Sequence, residues 1–152
     1  MRITNEADYA LRIVYSLMGC RQKNAKTIAE DSGVTLRFAL KILRKLVLSG
    51  IVGSQQGAAG GYFLKKKPSE ISVGEIVEMI DGPFKLNNCM DSAFVCSRIG
   101  CDLNSCQFHR FFVELNQQII DTMYSKTFDQ FIPQINNAVV QSASADDTAS
   151  DK

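Results

Sequence analysis

Residues 27–50 read TIAEDSGVTLRFALKILRKLVLSG. Thr27 and Glu30 stand at the spacing of a capping box, which opens a short helix. Gly33 supplies a turn, and Thr35 can cap the helix that follows. In that helix Leu36, Ala39, Leu40, Leu43, Leu46 and Val47 recur at helical spacing and form the expected apolar stripe. The other face shows Arg37, Phe38, Lys41, Arg44 and Lys45, with Phe38 expected to be exposed. A helix, a glycine turn and a basic helix of about three to four turns is the helix-turn-helix pattern. Such a helix fits the major groove, where its Arg and Lys can reach phosphates and base edges.

Upstream, residues 5–20 read as a helix carrying Ala7, Ala10, Leu11, Val14, Leu17 and Met18 at helical spacing, with Ile13 beside them. Thr4 or Asn5 can cap it, Glu6 and Asp8 suit the positive end of its dipole, and Gly19 ends it. Cys20 follows Ile13 and Leu17 on one face and is expected in the core. Downstream of Gly50, Ile51-Val52 and Tyr62-Phe63-Leu64 flank a glycine-rich tip, which reads as a hairpin wing. Its glycines allow close approach of backbone to another molecule. A nucleotide-phosphate loop is the rival reading, but no Lys-Ser/Thr follows the last glycine.

The net charge of +1 hides an asymmetry. Residues 21–67 hold ten Lys/Arg against Glu30 and Asp31, a net of +8, whereas residues 68–152 hold five against twelve acids, a net of −7. The basic third has the footprint of a phosphate-backbone binder, or of a solvated helix face.

Ser72-Val-Gly-Glu75 is a further capping box, starting a helix through about Ile80 that Asp81-Gly82-Pro83 ends. Residues 89–109 then hold four of the five cysteines and the single histidine, spaced Cys89-x6-Cys96-x4-Cys101-x4-Cys106-x2-His109. Thiolates select zinc, copper(I) or iron–sulfur centres. The spacing is neither a zinc-finger nor a ferredoxin pattern. A metal or cluster site, a redox disulfide and buried cysteines are the three readings. Next, Phe108, Phe111, Phe112, Leu115, Ile119 and Met123, with Ile120 adjacent, stripe a helix over about 105–125. A chain of 152 residues has little to cover such a stripe, so a second copy is the natural cover. Residues 127–139 can form a last short helix, and the polar residues 141–152 are expected to be disordered.

No apolar run approaches the ~20 residues that span a bilayer, and no N-terminal signal is evident. A cytoplasmic protein is expected, where five cysteines point to metal or redox chemistry more than to a disulfide scaffold. No nucleophile–base–acid set surrounds His109, so an enzyme is not expected.

Several stretches together resemble the bacterial winged-helix regulators typified by the iron–sulfur cluster regulator and the nitric-oxide-sensing repressor (IscR and NsrR). They are Asp8-Tyr-Ala-Leu-Arg12, Lys41-Ile-Leu-Arg-Lys-Leu46, Ser49-Gly-Ile-Val52, Gly57…Gly60-Gly61-Tyr62 and Ile80-Asp-Gly-Pro83, followed by the cysteine loop and long helix. The similarity covers about residues 1–132. It implies a mainly α fold with a β-hairpin wing. The winged helix-turn-helix domain would be 1–67, a connecting helix and loop 68–88, the sensor loop 89–106 and the dimerisation and C-terminal helices 105–139. It implies a homodimer on a near-palindromic double-stranded DNA operator. Thr35, Arg37, Phe38, Lys41, Arg44, Lys45, Gln55, Gln56, Gly60 and Gly61 would face the DNA. Gln56 stands where relatives place a wing arginine. Arg37 and Lys41 stand where they often have uncharged polar residues. A [2Fe–2S] or [4Fe–4S] cluster would sit on Cys89, Cys96 and Cys106, with Cys101 an extra cysteine that either replaces one of these ligands or lies nearby as a thiol. Asp8 of the partner subunit or His109 would complete the set, unless they serve as a first-turn helix acid and a packing residue. The cluster would switch operator affinity; a cluster-free thiol switch on the same fold is the alternative.

Overall fold

The computed structural model describes residues 2–57, 60–97 and 102–131. Helix α1 spans Asn5–Leu17. Thr4 caps it, its side chain accepting from the Ala7 N–H at 3.2 Å. Met18 is its C-cap, and the chain turns through Gly19 at φ 71°. Cys20 therefore leaves the helical register and is exposed, which corrects the core assignment.

Helix α2, Ala25–Ser32, starts earlier than the capping box indicates. Asn24 is its cap and accepts from the Thr27 N–H at 2.9 Å, leaving Thr27 inside the helix. Gly33 closes it in the left-handed conformation, at φ 68°. Thr35 caps α3, Leu36–Leu48, as its spacing indicates. The buried arc of α3 is Ala39, Ile42, Leu43 and Leu46, at i, i+3, i+4 and i+7. Leu36 and Leu40, assigned to the stripe, are instead 45% and 42% exposed. A helix this rich in leucine has two overlapping apolar arcs, and the packing of α1 and α2 selects between them.

Strands β1 (Val52–Gln55) and β2 (Gly61–Leu64) pair antiparallel, from Val52 opposite Leu64 to Gln55 opposite Gly61. Lys23, just before α2, exchanges backbone hydrogen bonds with Tyr62 and extends the wing base. Helix α4, Val73–Asp81, is capped by Ser72, whose hydroxyl accepts from the Glu75 N–H at 3.0 Å. Glu75 does not complete the box, because its carboxylate pairs with Lys66 at 2.6 Å.

Helix α5 spans Gln107–Ser125, and a 3-10 turn follows at Phe128–Phe131. That turn folds back, with Phe128 N–H bonded to the Ile71 carbonyl and Val73 N–H to the Lys126 carbonyl. Phe128 is buried in the main core with Ile13, Leu17, Ile28, Leu43, Ile51 and Ile76. A second cluster, Ala7, Val77 and Phe84 with Ile120 and Met123, joins α1, α4 and α5. The rest of the expected 127–139 helix and the polar tail lie outside the described residues.

Candidate nucleic-acid interface and cysteine loop

Burying Ala39, Ile42, Leu43 and Leu46 fixes which side of α3 meets solvent. Leu36, Arg37, Leu40, Lys41, Arg44 and Leu48 are all exposed, with the cap Thr35 at their head. The exposed face is thus mixed, cations interleaved with leucines. Apolar side chains there could contact thymine methyls, and cations could reach phosphates or guanine edges. Arg37 and Arg44 carry no ion pair among the described residues. Lys41 and Lys45 do: their ammonium groups lie 2.9 and 2.6 Å from the two carboxylate oxygens of Glu6 on α1. The two ammonium groups, Lys45 first and then Lys41, hold the Glu6 carboxyl below its ordinary 4.5.

Phe38 differs from its expected exposure. It is half-buried, set edge-on to Tyr9 at 5.6 Å between ring centroids. Lys41 lies over its ring at 5.4 Å, so Phe38 positions a cation. In the wing, Gln55 and Gln56 are exposed, whereas Gly60 and Gly61 are half-buried. The Gly60 N–H closes a turn on the Gly57 carbonyl at 2.8 Å, and the tip residues Ala58 and Ala59 lie outside the described residues. Lys65 and Lys67 are exposed beside the wing.

The cysteine segment leaves α4 at Asp81, whose carboxylate accepts from the Thr4 N–H at 3.0 Å and the Thr4 hydroxyl at 2.5 Å. Asn116 of α5, a residue the sequence reading passed over, fixes the next few residues. It is buried, donates to the Phe84 carbonyl at 3.0 Å and accepts from the Leu86 N–H at 3.2 Å. Its signal was a lone amide within an apolar stripe. Farther on, Lys85 pairs with Asp91 at 2.7 Å; that ammonium and the Ala93 N–H hold the Asp91 carboxyl below its usual range.

Cys89 sits in a 3-10 turn, Asn88–Met90, and its N–H is held by the Asn87 side chain. Its sulfur lies 3.3 Å from Nδ1 of His109, in the first turn of α5. Cys106 occupies the N-cap position of α5, and Cys96 is half-buried. Cys101 lies outside the described residues. Cys89 and His109 are thus brought together, close enough to be two ligands of one centre. Among the described residues no three His, Cys, Asp or Glu side chains converge as a metal site. The donor chemistry fits a soft metal or cluster. Among the described residues, Cys89 and His109 are the pair of donors within reach of one another. Asp8 is engaged elsewhere in its own chain, paired with Arg12 at 2.6 Å.

The family model described as Rrf2, iron-dependent transcriptional regulator, matches residues 3–134. The HTH-type transcriptional regulator IscR of Pectobacterium carotovorum is 26% identical over 136 residues, covering 87% of this chain and 79% of its own. The HTH-type transcriptional regulator NsrR of Bacillus subtilis is 32% identical over 95 residues, 60% of this chain and 65% of its own. Among solved structures, CymR, the global cysteine regulator of Bacillus subtilis, superposes with a TM-score of 0.69 at 21% identity. That match covers 86% of this chain and 95% of CymR, and it supports the winged-helix fold.

Proposed function

The chain belongs to the Rrf2 family of DNA-binding transcriptional regulators, and we propose that it works as a cytoplasmic homodimer on a near-palindromic operator, its affinity switched by an iron–sulfur cluster at the cysteine loop. The observation that carries the DNA-binding part is the exposed basic face of α3 beside a wing. Two recognition helices one DNA turn apart, ~34 Å, read two half-sites. Arg37 and Arg44 neutralise phosphates or read guanine edges, and Lys65 and Lys67 add phosphate contacts at the wing.

The dimer reading is supported by α5. Its aromatic residues Phe108 and Phe111 are 72% and 57% exposed, and Asn116 alone of its described side chains is buried. A second copy of the helix would remove that apolar surface from water.

For the sensor, Cys89, Cys96, Cys106 and His109 are the described residues that would hold the cluster, with Cys101 and the partner's Asp8 as further donors. A bound cluster supplies iron–thiolate bonds that oxidants and nitric oxide break. The chain's own part is mechanical. Asn116 and the Thr4–Asp81 contact anchor one end of the segment, and Cys106 and His109 tie the other to α5. Ordering the loop between them can therefore shift α5 against α1, and with it the spacing of the two α3 helices. A coupling of ~1–3 kcal/mol would change DNA affinity ~5–150-fold.

A second reading, a thiol switch without a cluster, is favoured by the Cys89–His109 contact. A peroxide would transfer an oxygen to the Cys89 sulfur, leaving a sulfenic acid and water; a second thiol would then condense with it to a disulfide and a second water. Anaerobic purification separates the two. A brown protein with an iron–sulfur Mössbauer spectrum supports the first, and a colourless one with peroxide-dependent disulfides the second. Gel-shift titration of loaded and unloaded protein on its own promoter then tests the switch, and equal affinities would retire it.

A further inference from the structure

Glu6 stands in the first turn of α1, with its side chain 20% exposed, and each carboxylate oxygen receives one lysine of α3. The four cations of α3 are Arg37, Lys41, Arg44 and Lys45, so one acid engages half of them. We infer that Glu6 is a positioning residue that competes with DNA phosphate for Lys41 and Lys45, and so restrains the affinity of the recognition helix. This rests on the DNA-binding reading of α3.

Three observations support competition over a passive surface ion pair. Both carboxylate oxygens are used, so neither lysine can be released without leaving the carboxylate half-paired. Lys41 is also held over the Phe38 ring, which packs on Tyr9 of α1, so the grip has a rigid backing. And Thr4, which caps α1 two residues earlier, is bonded to Asp81 at the mouth of the cysteine segment. The first turn of α1 therefore touches both the root of the sensor loop and the recognition helix. In DNA the phosphates present the same chemistry as Glu6, an anionic oxygen for an ammonium. A lysine satisfied by Glu6 displaces no counterion from the duplex.

The test uses the full-length protein and random-sequence duplex DNA, titrated by fluorescence anisotropy over a range of salt. E6Q is expected to bind roughly 3–10-fold more tightly than wild type, with a log–log salt slope steeper by about 0.9 for each lysine freed. E6D, which keeps the carboxylate, is expected to return toward the wild-type slope. E30Q removes the same charge from α2 and is expected to match wild type. K45Q is expected to cost little affinity in the wild-type background and several-fold more in E6Q, a coupling that a passive pair would not show. This cycle needs only retained helicity by circular dichroism, and K45Q compared with R44Q in the wild-type background tests the idea should E6Q not fold. Equal costs for those two would then overturn it. If wild type binds duplex and E6Q matches it in affinity and slope, the latch is wrong and DNA binding stands. If wild type fails to bind duplex at low salt, both fall.

Discussion

Asn116 shows how one side chain can set the start of the cysteine loop. Its amide satisfies a carbonyl and an N–H of the chain leaving α4, groups that would otherwise be buried or half-buried without partners. Asn116→Leu leaves both unmet and is expected to destabilise the protein by about 1–3 kcal/mol, measured by urea denaturation. Its effect on DNA affinity should appear only where the loop is ordered. A pH signature belongs to Tyr124, whose hydroxyl donates to Glu78. That carboxylate, with burial, pushes the phenol up to about 12 from 10.0. The folded state thus holds the phenolic proton more tightly than the unfolded chain. This contribution is fully present below pH 10 and is lost as the pH rises toward about 12. In Tyr124→Phe that part of the alkaline loss of stability should vanish, which thermal melts across this range would show.

At the scale of elements, α4 and α5 meet through a close approach. A Cβ on Gly74 would stand 2.6 Å from the ring of Tyr124, at its Cδ2 atom. Gly74→Ala is therefore expected to push the helices apart at a cost of about 1–3 kcal/mol, read as a lowered melting temperature. Adding Tyr124→Ala should recover part of that loss, because the clash is between those two residues. The α3 helix carries another lesson of the same scale. Its cap and length were legible, since Thr35 and Gly50 bound it locally. Its rotation was not, because Leu36 and Leu40 fit the helical period as well as Ile42 does. Only the surfaces of α1 and α2 distinguish the two arcs.

The whole molecule presents a basic winged-helix body and a long helix with uncovered aromatics. Replacing Phe111 by Asp is expected to place a charge in the proposed dimer face, giving a monomer by sedimentation and a loss of operator affinity, while the fold persists by circular dichroism. A monomer that still bound its operator like wild type would contradict the two-half-site account. Arg37→Ala is expected to weaken DNA binding and reduce the salt slope by about 1 if Arg37 meets a phosphate. If it reads a guanine instead, the slope should hold and sequence preference should relax. No helix among the described residues is long and apolar enough to cross a membrane.

Sequence by itself determined the order of the elements and several of their ends, though not the start of α2, which Asn24 caps ahead of Thr27. Thr4, Thr35 and Ser72 each cap the helix they precede, and the glycine-rich stretch lies between two paired strands. These outcomes depend on neighbours a few residues away, because capping, helical period and turn chemistry satisfy backbone groups locally. The tertiary structure decided what depends on distant surfaces. It set which arc of α3 is buried, and it left Cys20 in solvent past the end of α1. It also brought Glu6 to two lysines 35 and 39 residues away and set Cys89 against His109. A charge or thiol is legible in the chain as a donor or acceptor, but its partner is chosen by how the helices pack, and spacing along the chain does not carry that information.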